Sequence, residues 1–408
     1  MRNIHVFHLE VAAAGHINGV SRCIRTLVDS FAHNKRIKVT WVRFAYNIVH
    51  HIYQEARENY QIIHVPLSST LKEIWGNADE RHLFKKELLE LVQANTDKEC
   101  RNIIHIHTMN LIEAGLYLRE KADCLIVSTI HCIPWKNLYN NNRAFFCQLY
   151  EDYYMKQDFK KPDRYVCGEY EQLTYEKSDA LVCVTECARY FVRRISDHHI
   201  KHIVVIPNGL KDAHLKRDEK LDVASCLFVG GPSPSKGLDF LLQALCRVQM
   251  KYDIRLFIAG QYTEGQIRSI RKKYPFLDIV FCGTLSWSGL TKLYERCTIG
   301  VLPSLQEQCS YAAIEMMMAG MPIVSSDADG LDEMFVHGDN ALVVPTRYTP
   351  NTGLRLDIVA LSDAICSLIT DTRLCRRLGH NAKRNYMRRF TDLPMSKSYT
   401  HLYESLIN

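Results

Sequence analysis

The sequence alternates between short apolar runs and longer segments with helical periodicity. The apolar runs are about four to seven residues long, which is typical of buried strands. They are IHVFHL, KVTWVRF, IIHV, NIIHIH, LIVSTIH, ALVCVT and HIVVIP, followed by SCLFVGG, IRLFIAG, IVFCG, IGVLPS, PIVSS and ALVVP. Segments between them, such as ERHLFKKELLELVQAN and GLDFLLQALCRVQMKY, repeat apolar residues at the spacing of one helix face. Fully apolar strands that alternate with helices predict parallel sheets covered by helices on both faces.

The alternation restarts near the middle of the chain. The stretch IPNGLKDAHLKRDEKLD contains an Asn-Gly turn signal and a charged run with little periodicity, which indicates a linker. We therefore predict two doubly wound α/β domains, at residues 1–208 and 209–385. A final amphipathic helix, at residues 386–408, is expected to return to the first domain.

Composition agrees with an ordinary globular protein of two domains. At 408 residues the chain exceeds what one hydrophobic core usually holds, and it is 47% hydrophobic and 24% charged. The net charge of +6 is mild for this length and forms no basic tail. This argues against nucleic acid as the main partner.

Cysteine usage and the N-terminal sequence favour a reduced, cytoplasmic compartment. The fifteen cysteines are scattered through apolar runs, and the sequence has no C-x-x-C pair with zinc-like spacing. MRNIHVFHLEV begins a strand without a signal-peptide core, and no apolar run approaches the roughly 20 residues of a membrane helix. The basic stretch YFVRRISDHHIKH fits either peripheral contact with the inner membrane or a solvated helix face.

Three loops of the second domain follow strands and are candidates for ligand binding. Ligands bind at the carboxyl ends of strands in open parallel sheets, where helix N-termini expose their amides. VGGPSPSKGL places Lys236 at a helix start, where it fits either a phosphate or an idle, solvated position. AGQYT ends another strand with a glycine, and a third loop, EQCSY, leads into the helix former AAIEMMMAG.

Two glutamates bracket this third loop. Glu307 lies in the loop and Glu315 lies about one turn into the helix. Carboxylates there would repel a phosphate, so they fit the hydroxyls of a ribose or hexose better. A plainer alternative for Glu315 is a partner of the helix dipole, worth about 0.3–1 kcal/mol.

These features together resemble the donor-binding half of glycosyltransferase family 4, whose members are retaining enzymes of the GT-B fold. The resemblance rests on E-x7-E followed by GMPIVSSDADGLDEMFVHGDNALVVP, and on LFVGG…SKGLDFLLQAL, FIAG, FCG…LTKLYERCTIGVLPS and IPNG. The first half matches more loosely, through GHINGVSRCIRTL, IIHIH, TIH and YEKSDALVCVTE. The implied fold is two Rossmann-like domains that face each other across a cleft.

The resemblance implies a nucleotide-sugar donor, linked to UDP or GDP, on the second domain. Lys236 would neutralise its diphosphate, Glu307 would hydrogen-bond the transferred sugar, and Glu315 would bind the ribose. Metal and other cofactors are not expected, although DAD at residues 327–329 resembles the metal motif of another glycosyltransferase class.

The resemblance assigns further roles in both domains. Cys309, Ser310 and Tyr311 would bind the donor, with the amides near Ser310 and Tyr311 facing the diphosphate and sugar. Gly19 would leave room for phosphate or acceptor in the first glycine-rich turn. His131 matches a histidine that faces the sugar, and its alternative is a core histidine with a satisfied ring.

One departure from the family pattern concerns the diphosphate. The family usually has an arginine where this chain has Gly231, so the lysine–arginine clamp is reduced to Lys236. Compensation would come from helix amides or from Arg22.

The predicted reaction is therefore metal-independent, retaining transfer of a sugar to an acceptor hydroxyl. A glycan, a lipid-linked oligosaccharide or a peptide are the acceptors implied, as in bacterial polysaccharide biosynthesis or peptide modification. The long stretch HCIPWKNLYNNNRAFFCQLYEDYYMKQDFKKPDRY would either cover an acceptor or form an unusual helical insert.

Two other functions remain as alternatives. Gly231 motivates a non-catalytic sugar-nucleotide-binding subunit of a glycosylation complex. A sugar-nucleotide epimerase would share the fold, but the E-x7-E pattern speaks against it. A nicotinamide dehydrogenase is disfavoured, because no strand is followed by G-x-G-x-x-G with an acidic residue about 20 positions on.

Overall fold

The computed structural model divides the chain into two compact units. It describes residues 3–12, 19–31, 34–46, 51–57, 60–97, 99–156, 168–196, 202–217 and 223–407, apart from the side chains of residues 141, 153 and 154. The first unit comprises Met1–Cys132, Lys161–Lys211 and Asp392–Asn408, and the second comprises Ile133–Lys160 and Asp212–Thr391.

The strands follow the apolar runs of the sequence closely. In chain order they are β1 (Asn3–Ala12), β2 (Ile37–Tyr46), β3 (Tyr53–Ala56), β4 (Tyr60–Leu67), β5 (Cys100–Ile106), β6 (Cys124–Ile130), β7 (Ala180–Cys183), β8 (Ile203–Val205), β9 (Ala224–Val229), β10 (Ile254–Ala259), β11 (Asp278–Gly283), β12 (Ile299–Leu302), β13 (Ile323–Ser326), β14 (Leu342–Val344), β15 (Thr346–Thr349) and β16 (Gly353–Leu356).

The helices occupy the periodic segments between the strands. They are α1 (Gly19–Ser30), α2 (Leu71–Gly76), α3 (Ala78–Asn95), α4 (Ile112–Ala122), α5 (Leu138–Asn141), α6 (Arg143–Tyr150), α7 (Glu169–Lys177), α8 (Glu186–Ile195), α9 (Leu238–Gln249), α10 (Glu264–Lys273), α11 (Trp287–Arg296), α12 (Tyr311–Met318), α13 (Asp329–Met334), α14 (Ile358–Thr370), α15 (Thr372–Arg389) and α16 (Asp392–Ile407). None of these described helices has the length and hydropathy needed to cross a bilayer.

An eight-stranded sheet forms the centre of the first unit. Its order is β3-β4-β2-β1-β5-β6-β7-β8, and all neighbours are parallel except β3 and β4. Val6 of β1 stands between Val39 of β2 and Ile103 of β5, and all three side chains are buried. Such strands are apolar throughout because helices cover both faces of the sheet.

A six-stranded parallel sheet forms the centre of the second unit. Its order is β11-β10-β9-β12-β13-β14, and β15 and β16 form a separate antiparallel hairpin. Strand order reverses at β9, which has β10 on one side and β12 on the other. Ligands of open α/β sheets bind at such a switch point, outside the carboxyl ends of the strands.

The predicted fold class is confirmed by these two parallel, helix-covered sheets. The unit boundaries differ from the predicted domains, because α15 stays with the second unit and residues 133–160 also belong to it. The described part of the long stretch at residues 131–165 includes helices α5 and α6, and its residues 157–165 lie outside the described ranges. Part of the basic stretch considered for membrane contact, residues 197–201, also lies outside them.

Candidate active site

The loops after β9 and β12 lie against each other at the switch point of the second unit. The backbone N–H of Leu305 donates to the carbonyl of Ser235 at 2.7 Å. Gly237 has φ of +73°, and an added Cβ atom would lie 1.8 Å from the carbonyl oxygen of Pro303. Only glycine permits this backbone approach. Lys236 is therefore held beside the loop that follows β12.

Lys236 and Glu307 form an ion pair across these loops. Nζ of Lys236 lies 2.5 Å from Oε2 of Glu307, with side chains 35% and 16% exposed. The sequence left open an idle lysine at this position, but the structure pairs its ammonium group. A surface ion pair is worth only about 0–1 kcal/mol, but Glu307 is largely enclosed and costs more to leave unpaired. An arriving anion can therefore take over the lysine only if Glu307 gains new hydrogen-bond partners.

Glu315 is buried in the second turn of α12. Its side chain is 1% exposed, and the hydroxyl group of Tyr294 on α11 donates a hydrogen bond to Oε2. A buried carboxylate costs several kcal/mol unless it is hydrogen-bonded, so Tyr294 contributes to its stability. The helix dipole acts mainly within the first turn, which makes a dipole role the weaker explanation. Ribose binding by Glu315 stays a prediction, and it requires access to a buried group.

The residues between the two glutamates are also buried. Cys309, Ser310 and Tyr311 are each less than one tenth exposed. Ser310 precedes α12, and its side chain makes no capping hydrogen bond to the helix within the described structure. The loop thus places these residues and Glu307 at the start of α12. Their contact with a diphosphate stays a prediction.

The two outer aspartates of the DAD stretch bind protein groups. Asp327 accepts hydrogen bonds from the backbone N–H and the hydroxyl of Thr346, both at 2.7 Å. Asp329 is paired with Lys136. These carboxylates stabilise loops of the second unit, and the expectation of no metal at this motif stays untested.

Two neighbours of the site gave no signal in the sequence. Lys136 and Asn140 come from the segment around α5, which also belongs to the second unit. Asn140 accepts hydrogen bonds from Ser233 and Ser235, in the loop that leads to Lys236.

In the first unit, His131 follows β6 and ends a row of hydrogen-bonded imidazoles. Its Nε2 lies 3.0 Å from Nδ1 of His107, and Nε2 of His107 lies 2.9 Å from Nδ1 of His8. Burial lowers the pKa of His131 to about 4 and that of His8 to about 3. The rings are therefore neutral at pH 7, and each hydrogen bond uses one N–H. The sequence assigned His107 to the strand, but the structure shows that it also orients His131.

His105 packs beside this row with separate partners. Its Nδ1 lies 2.7 Å from the hydroxyl of Tyr403, and its Nε2 lies 2.7 Å from Oγ1 of Thr129. His8, His105 and His107 each offer a nitrogen, and these atoms lie within 4.8 Å of one another, a grouping that could hold a metal ion. Both nitrogens of His105 are already hydrogen-bonded, so a metal would have to displace Tyr403 or Thr129.

Gly19 is the first residue of α1 and is exposed. The rest of its glycine-rich turn, residues 13–18, lies outside the described residues. Arg22, considered as compensation for the missing arginine, lies half-buried on α1 in the first unit. The predicted roles of both residues stay predictions.

A buried carboxylate near the end of β1 escaped the sequence analysis. Glu10 is fully buried and accepts hydrogen bonds from the hydroxyl of Ser21, from Nε1 of Trp41 at 3.1 Å and from Nε of Arg43 at 3.3 Å. Its only signal was a glutamate within the apolar run FHLEVA. Its partners give it a structural role in joining β1, β2 and α1.

Comparisons with known proteins match both halves of the chain. The family model described as Glycosyltransferase Family 4 matches residues 17–214. The family model described as Glycosyl transferases group 1 matches residues 224–371. An uncharacterized glycosyltransferase of Methanocaldococcus jannaschii is 24% identical over 253 residues, which is 57% of this chain and 62% of that protein. The chain thus spans less than two thirds of the length of the first relatives that it matches.

Solved structures resemble the whole chain. Sucrose-phosphate synthase of Thermosynechococcus elongatus superposes with a TM-score of 0.75 at 18% identity, covering 99% of both chains. HepE of Anabaena, in complex with UDP and glucose, gives a TM-score of 0.69 at 14% identity, covering 98% of this chain and 99% of HepE. These likenesses define the class as a two-domain α/β protein of the GT-B fold. Within that class, the chain belongs to the group 1 glycosyltransferases of family 4.

Proposed function

We propose that this protein transfers a sugar from a nucleoside-diphosphate donor to an acceptor hydroxyl, with retention at the anomeric carbon and without a metal. The observation that carries the proposal is the Lys236–Glu307 pair at the switch point of the second sheet. Family membership supports it, and the UDP and glucose in HepE favour a UDP-linked hexose over the GDP alternative.

The negative charge that develops on the leaving diphosphate gives Lys236 and the nearby backbone amides their role. As the sugar leaves, negative charge grows on the diphosphate, and Lys236 and the amides around Ser310 and Tyr311 stabilise it. When the diphosphate binds, Lys236 releases Glu307, whose carboxylate then accepts hydrogen bonds from the sugar hydroxyls. The departing phosphate oxygen takes the acceptor proton, so the step needs no protein nucleophile. The sugar-facing role of His131 stays a prediction from the family resemblance, and its ring would act there as a neutral group.

The donor can be identified before the acceptor is known. Thermal unfolding would be measured with UDP-glucose, UDP-galactose, UDP-N-acetylglucosamine and GDP-mannose. A ligand at 100 times its Kd stabilises the folded state by about 2.7 kcal/mol, so one donor should raise Tm selectively. Lys236→Met should remove this shift, and Glu315→Gln should reduce it if the carboxylate binds the ribose. No shift with any donor would contradict the proposal.

Control variants separate binding from folding. Tyr294→Phe removes the hydroxyl partner of Glu315 and should lower the ligand-free Tm. If Glu315→Gln changes only this ligand-free Tm, Glu315 has a structural role and not a donor role. Transfer with excess EDTA, followed by NMR of the anomeric configuration of the product, tests metal independence and retention.

A non-catalytic sugar-nucleotide-binding subunit is the second candidate, and Gly231 favours it. The family arginine at this position would supply a second positive charge to the diphosphate. Donor binding without transfer across glycan, lipid-linked and peptide acceptors would support this candidate. Conversion of a donor without an acceptor would instead indicate an epimerase.

A further inference from the structure

The segment of residues 133–150 contacts the loop that carries Lys236 and the turn at Asp329, which in turn binds the backbone of Glu307. We propose that Asn140 and Lys136 are positioning residues that hold these loops in the geometry needed for the donor. The inference deepens the proposed function and rests on it.

Asn140 holds the loop that follows β9. Its Oδ1 accepts a hydrogen bond from the backbone N–H of Ser235 at 3.0 Å and another from the hydroxyl of Ser233 at 2.9 Å. Ser235 immediately precedes Lys236, and its carbonyl receives the N–H of Leu305 from the loop after β12. One side-chain oxygen therefore fixes the turn from which the lysine projects.

Lys136 holds the opposite side of the same site. It pairs with Asp329, and both side chains are largely buried, at 7% and 15% exposure. Asp329 has φ of +29°, a strained value for a residue other than glycine. The next backbone N–H, from Gly330, donates to the carbonyl of Glu307 at 3.2 Å. The ion pair therefore stabilises the turn that binds the backbone of Glu307.

The segment itself is anchored away from these loops. Trp135 and Phe146 are buried with ring centroids 5.5 Å apart. Tyr348 of β15 donates its hydroxyl hydrogen to the carbonyl of Cys147 at 2.9 Å, and Tyr139 donates to that of Leu354 at 3.4 Å. The anchored segment thus offers two polar side chains, one helical turn apart, from a fixed base.

These contacts matter because Gly231 stands where the family usually has an arginine, so Lys236 is the one cation of this loop that is assigned to the diphosphate. A single lysine neutralises a diphosphate effectively only if its position is fixed before the ligand arrives, since ordering the loop on binding would reduce affinity. The contacts of Asn140 and Lys136 provide that order within the second unit.

Calorimetric titration with UDP, GDP, UDP-glucose and GDP-mannose tests the inference. Asn140→Ala removes two hydrogen bonds and should weaken the best-bound probe by about tenfold. Tyr348→Phe is the matched control, because it removes a hydrogen bond that the same segment makes at Cys147, seven residues after Asn140. It should lower Tm without changing the Kd.

Hydrogen–deuterium exchange of the ligand-free protein gives a readout that does not depend on the donor. Asn140→Ala should speed exchange at residues 233–237, and Lys136→Met should speed it at residues 328–331. Asn140→Asp keeps an acceptor oxygen and should restore slow exchange. Tyr348→Phe should leave both peptides unchanged.

The outcomes distinguish this inference from the proposed function. If the wild-type protein binds none of the four probes, the proposed function fails and the inference fails with it. If the wild-type protein binds a probe and Asn140→Ala binds it equally well, the inference alone is overturned. It is also overturned if Asn140→Ala and Tyr348→Phe change exchange at residues 233–237 to the same extent.

Discussion

Gly237 adopts a left-handed backbone conformation directly after Lys236, with its Cα facing the carbonyl of Pro303. Gly231, six residues earlier in the same loop, has open space where a Cβ atom would lie. The loop therefore requires glycine at position 237, whereas position 231 has room for a side chain. The two positions provide a matched pair of substitutions.

Gly237→Ala should destabilise the second unit by about 1–3 kcal/mol, because the new Cβ requires both a strained φ and movement of the 303 carbonyl. It should also weaken donor binding, since Lys236 moves with the loop. Gly231→Ala should change stability by less than about 0.5 kcal/mol. Thermal unfolding would compare the stability of the two variants. Equal Tm values would show that the loop accommodates a Cβ atom at position 237 without loss of stability, which would contradict this prediction.

At the residue scale, the sequence assigned Lys236 and Glu307 to one donor site, but it predicted neither their ion pair nor the residues that support it. Lys236 and Glu307 both follow apolar strands, and the carboxyl ends of parallel strands share one edge of the sheet. The sequence could therefore predict that the two residues lie at the same edge. Asn140 and Lys136 reach the site across 95 and 193 residues of sequence. Contacts at that separation leave no periodic or local signal.

Helix α16 completes the core of the first unit at the far end of the chain. Tyr399 and Tyr403 are buried, and Arg36 pairs with Glu404 at 2.9 Å. The hydroxyl of Tyr403 reaches His105 at 2.7 Å, whereas that of Tyr399 reaches Thr129 at 3.2 Å. The helix therefore contributes both apolar area and polar partners to the centre of the sheet.

Tyr403→Phe should destabilise the first unit by about 1–3 kcal/mol, because it leaves a buried imidazole nitrogen without its partner. Tyr399→Phe should cost less, since its bond is longer and Thr129 keeps its contact with His105. Urea unfolding of both variants checks the order. A larger loss for Tyr399→Phe would show that packing, and not the hydrogen bond to His105, governs this helix.

At the element scale, the strands that the sequence analysis missed share one property. β3 is an edge strand with mostly exposed residues, and β15 and β16 form a two-stranded hairpin outside the main sheet. Strands that are not buried on both faces lack the continuous apolar run by which the others were recognised. Every apolar run that was assigned to a strand overlaps one in the structure.

At the scale of the whole molecule, buried histidines are concentrated in the first unit. Burial lowers the pKa of His5 and His8 to about 3 and that of His131 to about 4, and it holds the pKa of His105 and His107 well below the usual value. The unfolded chain binds protons at these positions near pH 6.5, where the folded protein does not. Stability should therefore fall as the pH drops below about 6.5.

Each such histidine contributes up to about 1.4 kcal/mol per pH unit until the pH reaches its folded pKa. Urea unfolding between pH 7.5 and pH 4.5 would measure the slope. His5→Gln removes one of these buried rings and should reduce the slope. His5 is chosen because it lies outside the row of hydrogen-bonded histidines that ends at His131. A flat profile would contradict the assignment of neutral, buried rings.

The two units are interleaved along the chain. The backbone passes between them after residues 132, 160, 211 and 391. A cut near residue 208, which the sequence favoured, would separate the second unit from residues 133–160 and the first unit from α16. Physical domains here are defined by packing, and the linker composition near residue 210 marks only one of four passages.

This interleaving has a consequence for synthesis on the ribosome. Residues 133–156 emerge early, but the loops and hairpin that contact this segment are made at least seventy residues later. During that interval its apolar groups, Trp135 and Phe146 among them, can pack only within the segment itself. Such an exposed segment is open to chaperones and proteases until the remainder of the second unit has emerged.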